Sequence, residues 1–206
     1  MIVTVSNEYG SGAFEIANRV AATLGYALVD RELPVVVAKR LHTTPESVEA
    51  AQDPRKGLGE RFLHGLAAGT PELSIPLVGP SGSFDEACLR EVETAVREHA
   101  AAGNVVIFGR AANAILGRRA DVLRLFIHAP REWRIALIVR RLGLEENIAR
   151  AEVERIDAAR RAYAREHYGY VWGDPSRYDL SLDSARLGVD AAVEVIVAAV
   201  RFGTGA

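Results

Sequence analysis

"IVTVSNEYGSGAFEIA" (residues 2–17) decides how the rest of the chain reads. A β-branched apolar run leads into Gly10-Ser11-Gly12, and a helical pattern follows directly, with Ala13, Ile16, Ala17, Val20 and Leu24 on one face. Strand, glycine loop, helix is the arrangement that puts free backbone N–H groups and the positive helix end at one spot, ready for an anion. The phosphate-loop pattern G-x-x-x-x-G-K-[ST] requires more: a lysine right after the last glycine and then a hydroxyl. Here Ala13 and Phe14 stand at those two places. Two glycines before a helix also make a plain tight turn, so Gly10, Ser11 and Gly12 are phosphate-cradling candidates on context.

Outward from that loop, strands and helices alternate. "YALVD" predicts a strand ending at Asp30, and a helix follows over Leu33–Leu41. Thr44 caps a further helix with Pro45 at its first position. A long helix is expected over Phe84–Ala102, then the strand "NVVIFGR" ending in Gly109-Arg110, a short helix "AANAIL" and the strand "DVLRLFIHAP". Pro130 opens a helix through Arg141. A charged helix runs from Glu145 to about His167, "YDLSLD" is a last strand, and "GVDAAVEVIVAAV" closes the chain. This alternation calls for an α/β fold, a mostly parallel sheet covered by helices on both faces. Residues 53–83 are the least regular part: "RFLHGLAAG" has helical character, and 70–83 read as a Pro/Gly/Ser-rich loop, either a binding loop or a surface excursion.

Composition narrows the function classes. The 206 residues fit one domain with a sizeable core, and 49% are apolar, which excludes a disordered chain. A net charge of −2 does not suit a nucleic-acid binder. Cys88 is the only cysteine, expected as a free buried thiol, and the five histidines form no metal-binding pattern. No apolar run is long enough to span a bilayer and no signal opens the chain, so the expectation is an intracellular, cytoplasmic protein. Of the 25 basic residues only Lys39 and Lys56 are lysines, and 15 of the 23 arginines fall between Arg110 and Arg186. That is either codon usage or an anion site in the second half.

In parallel sheets ligands sit at the carboxyl ends of strands, which makes the 6–14 loop, Asp30, Arg110 and the region from His128 to Arg131 candidates on topology alone. Asp30 reads equally as a helix cap or as a carboxylate that positions a substrate hydroxyl or amine. Arg110 suits a fork to phosphate or carboxylate, with a salt bridge as the alternative. On the helix 145–167, Glu146–Arg150 and Asp157–Arg161 have the i,i+4 spacing of a solvated face. Ala149, Val153 and Ile156 make the inward stripe, which continues to Arg160, Tyr163 and His167. An inward arginine either pairs with a buried carboxylate or faces an anion.

The stretches "YGSG..EIA", "VDREL" (29–33), "VVIFGRAAN" (105–113), "LRLFIHAP" (123–130), "D..R..Y" (157–163) and "WGDP..YDLSLDS..LG" (172–188) together resemble the cytidylate kinase-like family, among the P-loop nucleoside monophosphate kinases. The resemblance implies a three-layer α/β fold as a single domain over 1–206, with a helical lid at about 140–168. It implies an ATP site at Gly10, Ser11 and Gly12, used with Mg²⁺, an acceptor nucleotide near Asp30 and Arg110, and lid arginines at Arg160 and, more weakly, Arg140. No nucleic acid or membrane partner is implied, and no metal held by protein ligands. The family's relatives commonly lack the loop lysine but often carry arginine where Asn7 and Phe14 stand here. The expected activity is phosphoryl transfer from ATP to CMP or dCMP. The alternatives are a nucleotide-binding protein without turnover and a small-molecule kinase with another acceptor. Acceptor identity and oligomeric state are not legible in the chain.

Overall fold

In the computed structural model, residues 1–30, 32–51 and 82–202 are described. The expectations for 53–81, including the 70–83 loop up to Ser81, lie outside the described residues. The described residues fall into two compact units, one of 1–30 with 96 onward, the other within 31–95.

The first unit holds a five-stranded sheet: β1 (Ile2–Asn7), β2 (Ala27–Val29), β3 (Val105–Phe108), β4 (Val122–His128) and β5 (Leu180–Asp183), in the order β2-β3-β1-β4-β5. Every pairing is parallel. β1 is central, with Ile2 opposite Val105 on one side and Val122 on the other. All six of its residues are buried, the expected state of a strand covered on both faces.

The helices are α1 (Ala13–Leu24), α2 (Glu32–Arg40), α3 (Pro45–Ala51), α4 (Gly82–Ala102), α5 (Ala112–Leu116), α6 (Arg131–Leu142), α7 (Glu146–Tyr168) and α8 (Ser184–Phe202). A short 3₁₀ turn over Pro175–Arg177, absent from the sequence reading, is capped by Asp174. The main core joins Val3, Val5, Leu125 and Ile127 of the sheet to Ile16 and Val20 of α1 and to Ala192 and Ile196 of α8. Burying such side chains contributes roughly 1.5–3 kcal/mol each. A smaller cluster of Ile135, Ile138, Ala149 and Val153 pins α6 to α7, with Tyr9 of the glycine loop packed against it.

The second unit contains α2, α3 and the first part of α4. Leu33, Val37, Val48, Cys88 and Val92 are buried. Arg40 reaches Glu91 at 3.4 Å, Ser47 N donates to the capping Thr44 hydroxyl at 3.3 Å, and the Cys88 thiol is free and buried as expected. Among the described residues no helix is long and apolar enough to cross a membrane.

Candidate functional site

β1 ends at Asn7 and α1 begins at Ala13, so the glycine loop sits at the carboxyl edge of the central strand. Gly10 (φ 82°) and Gly12 (φ 73°) are left-handed, which an L side chain adopts only with strain. At Gly10 a β-carbon would also meet the Arg134 carbonyl oxygen at 3.0 Å and Ile138 at 3.2 Å, so α6 leaves room for glycine alone. Gly12 is the N-cap of α1 and has no side chain to satisfy the first turn. Among the described residues the N–H groups of Gly10, Gly12, Ala13 and Phe14 have no acceptor. The Ser11 hydroxyl is fully buried and likewise without a partner there. The loop therefore has the donors that an anionic group requires.

The side chains at the two motif positions are not cationic. Ala13 is buried in the core and Phe14 is exposed, its ring edge-on to Phe108 at 5.6 Å. Phe108 closes β3, and beyond it Gly109, Arg110 and Ala111 have φ of 72°, 56° and 50°. Two consecutive non-glycine residues in the left-handed region are uncommon and strained. The turn is held by Gly109 N donating to Val5 O at 2.8 Å and by buried Asn113 of α5, whose Oδ1 accepts from Ser6 Oγ at 3.2 Å.

Charge gathers on the other flank of the loop. Arg134, buried on α6, donates from Nη1 to Tyr9 O at 2.8 Å and to Asp157 Oδ2 at 2.7 Å, and from Nε to Ala129 O at 3.0 Å. Glu8 lies 3.3 Å from the same guanidinium and accepts from Ala129 N at 3.1 Å. Asp157, also buried, accepts the Tyr9 N–H at 2.9 Å. One turn along α7, half-buried Arg160 donates to Asn7 O at 2.5 Å. Burial pushes the Arg160 guanidinium below its ordinary pKa. Asp157 and Tyr9 hold it up, and the charges of Arg110 and Arg134 push it further down. Arg110 and Arg160 are thus near enough to feel each other, and a shared anion would relieve that repulsion.

The predicted residues come out unevenly. Arg160 faces inward and Arg161 is exposed, as the stripe requires, while His167 at the end of that stripe is exposed. Asp157 does not belong to a solvated pair with Arg161. It is buried because Arg134, 23 residues earlier, and the Tyr9 amide provide stronger partners. Glu146–Arg150 is the surface pair expected, at 2.9 Å, and Arg150 also holds Glu132. Asp30 is half-buried directly after β2, and Arg140 is exposed on the last turn of α6. Arg134 and Glu8 were not singled out by sequence. Arg134 shares a helical face with Ile138, four residues on, so the stripe argument used for Arg160 would have found it. No group of three His, Cys, Asp or Glu among the described residues could hold a metal.

The "WGDP..YDLSLDS" segment packs beside this edge. Ser184 Oγ donates to Ser11 O at 2.6 Å and to His128 O at 3.1 Å, tying α8 to the loop. Asp179 holds the buried Arg124 through 2.6 and 3.1 Å bonds, and Tyr178 packs on Phe126.

Residues 2–186 match the sequence profile of the cytidylate kinase-like family. The chain belongs to that family. Cytidylate kinases of Halobacterium salinarum (25% identical, 97% of this chain and 89% of the relative) and Pyrobaculum arsenaticum (29%, 96% and 91%) are similar over nearly their whole lengths. Among solved structures, an uncharacterized protein from Eubacterium ventriosum superposes with a TM-score of 0.69 at 20% identity, covering 98% of this chain and 99% of that one. Shikimate kinase from Bacteroides thetaiotaomicron does so with 0.50 at 13%, covering 98% and 99%. As a cytidylate kinase-like family member the chain is of nucleoside monophosphate kinase type, and its parallel five-stranded sheet is the P-loop kinase α/β fold.

Proposed function

We propose that this protein transfers the γ-phosphoryl group of ATP to a nucleoside monophosphate, CMP or dCMP. The observation that carries the reading is the inward Arg160 reaching the Asn7 carbonyl at 2.5 Å, at the sheet edge where the glycine loop presents unsatisfied N–H groups. Phosphoryl transfer requires mainly positioning and neutralisation of charge, with little covalent work for the protein. Gly10, Ser11 and Gly12 cradle donor phosphates through the backbone. Asp30 and Arg110 hold the acceptor, and Arg160 neutralises charge on the transferring group. Arg140 is a second, outer lid arginine, within a lid of residues 140–168 on a single kinase domain. The cytidylate kinases among the relatives support the choice of acceptor.

Magnesium supplies charge neutralisation across the β- and γ-phosphates when it accompanies ATP. The side chain at position 14 does not fit it, since Phe14 offers no oxygen. The ion would rely on the nucleotide's own oxygens and water, as magnesium often does. The second reading is a nucleotide-binding protein without turnover. It is favoured by buried Ala13 at the lysine position and by the Asp157 carboxylate that already occupies the Tyr9 N–H.

A coupled assay with Mg-ATP across a panel of nucleoside monophosphates separates the two. The kinase reading expects turnover with CMP or dCMP above UMP, AMP and GMP. Turnover only with a non-nucleotide acceptor would reassign the acceptor. Binding of ATP without transfer to any acceptor would establish the second reading.

A further inference from the structure

We propose that Arg134, with Glu8 and Asp157, is the positioning device of the glycine loop, a cation brought in from α6 in place of the one the loop lacks. The inference rests on the kinase reading for its ligand but on geometry for its substance. A P-loop has its cation inside the motif, at the position of Ala13 here. The unit that carries the loop contains no lysine, and one of its arginines is built into the loop's underside. The side chain of Arg134 is 7% exposed, and it is committed to the Tyr9 and Ala129 carbonyls and to both carboxylates. A guanidinium so engaged has no freedom to follow a phosphoryl group, so its role is to fix backbone.

The contacts converge on the segment just before the glycines and on Ala129 beyond β4. Arg134 takes the Tyr9 carbonyl, Asp157 takes the Tyr9 amide, and Glu8 is anchored to the Ala129 amide. Both polar groups of one peptide-bearing residue are thereby held by a single ion pair. The chain enters Gly10 in one fixed direction, the Ser11 N–H turns back to the Glu8 carbonyl at 3.2 Å, and the N–H groups of Gly10, Gly12, Ala13 and Phe14 are presented without acceptors among the described residues. A β-carbon at Gly10 would meet the Arg134 carbonyl oxygen at 3.0 Å, so glycine lets the loop lie close to the clamp at the same point. Charge-assisted hydrogen bonds with planar fork geometry suit this work, and a lysine in place of Arg134 keeps the charge but loses the fork.

Two conservative variants test the clamp, Arg134→Lys and Asp157→Asn, each first shown folded by circular dichroism. Amide hydrogen exchange at Glu8, Tyr9 and Ser11, whose N–H groups are hydrogen-bonded, should quicken by about tenfold or more relative to β4 and α8, the size of one lost charge-assisted hydrogen bond. Inorganic tripolyphosphate, a probe of the loop without a base, should bind about tenfold more weakly, with CMP affinity within about twofold of wild type. Unchanged exchange at Glu8, Tyr9 and Ser11 in folded Arg134→Lys would overturn the clamp, and so would an equal loss of tripolyphosphate and CMP. If wild type binds no tripolyphosphate, the kinase reading fails, and the exchange measurement still decides the clamp.

Discussion

The two flanks of the glycine loop are built on opposite principles. On the side of α6 and α7, the Asp157 carboxylate and the guanidinium groups of Arg134 and Arg160 close around residues 7–9 at 2.5–3.3 Å. On the side of α1, the positions that carry charge in the motif are a buried alanine and an exposed phenylalanine against Phe108. The difference separates two tasks that a single loop lysine can combine, holding the loop and meeting phosphate charge. Here the first is done by side chains from other helices. Under the proposed kinase reading the second would fall to backbone N–H groups and to Arg110 and Arg160, and only the second would be weakened by Ala13 and Phe14.

The largest effect should come from the charged flank. Arg134→Met leaves buried Asp157 and half-buried Glu8 without their cation, and breaking a buried pair such as Arg134–Asp157 costs about 3–5 kcal/mol. Urea unfolding should show that loss, whereas Phe14→Ser should stay within about 0.5 kcal/mol of wild type. Comparable losses would erase the contrast.

A kinetic difference of nearly the same size is expected between neighbours on α7. Arg160→Ala should lower turnover by about a hundredfold or more, the usual scale for a group that meets transition-state charge. Exposed Arg161→Ala should change stability by only about 0–1 kcal/mol and turnover little. Steady-state kinetics on the pair decides it, and a larger loss at Arg161 would remove Arg160 from the reaction.

Within the loop, Gly10→Ala should destabilise more than Gly12→Ala. Both incur the left-handed penalty of about 1–2 kcal/mol. Only Gly10 adds a collision with backbone, for a further 1–3 kcal/mol, since the nearest atom to a β-carbon at Gly12 is Leu137 Cδ2 at 3.8 Å. Equal thermal shifts would mean that α6 gives way.

The smallest effect is a pH dependence far from the loop. Burial raises the Asp179 carboxyl, but hydrogen bonds from the Arg124 side chain and amide outweigh it and hold the group below the usual carboxylate range. A carboxylate depressed in the folded state stabilises above its unfolded pKa of about 3.9, and the contribution fades as pH falls below that. Asp179→Asn should flatten the acid limb of the stability curve. Parallel limbs for the two proteins, measured by urea midpoints between pH 5 and pH 2.5, would contradict this.

How far the sequence carries depends on whether a residue's partners are local. Alternating apolar runs gave all five strands and the helices that flank them to within a few residues, because period and punctuation are local signals. The Thr44 cap and the inward Arg160 were legible for the same reason. Asp157 was misread because spacing offers Arg161 four residues on, while its true partners are Arg134 and an amide 148 residues away. His167 fails because the inward stripe does not persist to the last turn of α7. The strand order, which brings Arg110 and Arg160 to one edge, is a long-range property that no window of sequence contains.

That order also sets a timetable for biosynthesis. β1 leaves the ribosome first, yet the strands it pairs with begin at Val105 and Val122. At about 5–20 residues per second the wait is roughly 5–25 s. Throughout it "IVTVS" is an unpaired β-prone segment, the kind that holdase chaperones and neighbouring nascent chains compete for. Once β4 arrives, the oldest strand becomes the one most deeply enclosed. Its exposure to misassembly is confined to that interval, so slower translation ahead of residue 105 should lower the yield of folded protein more than the same delay placed after residue 130.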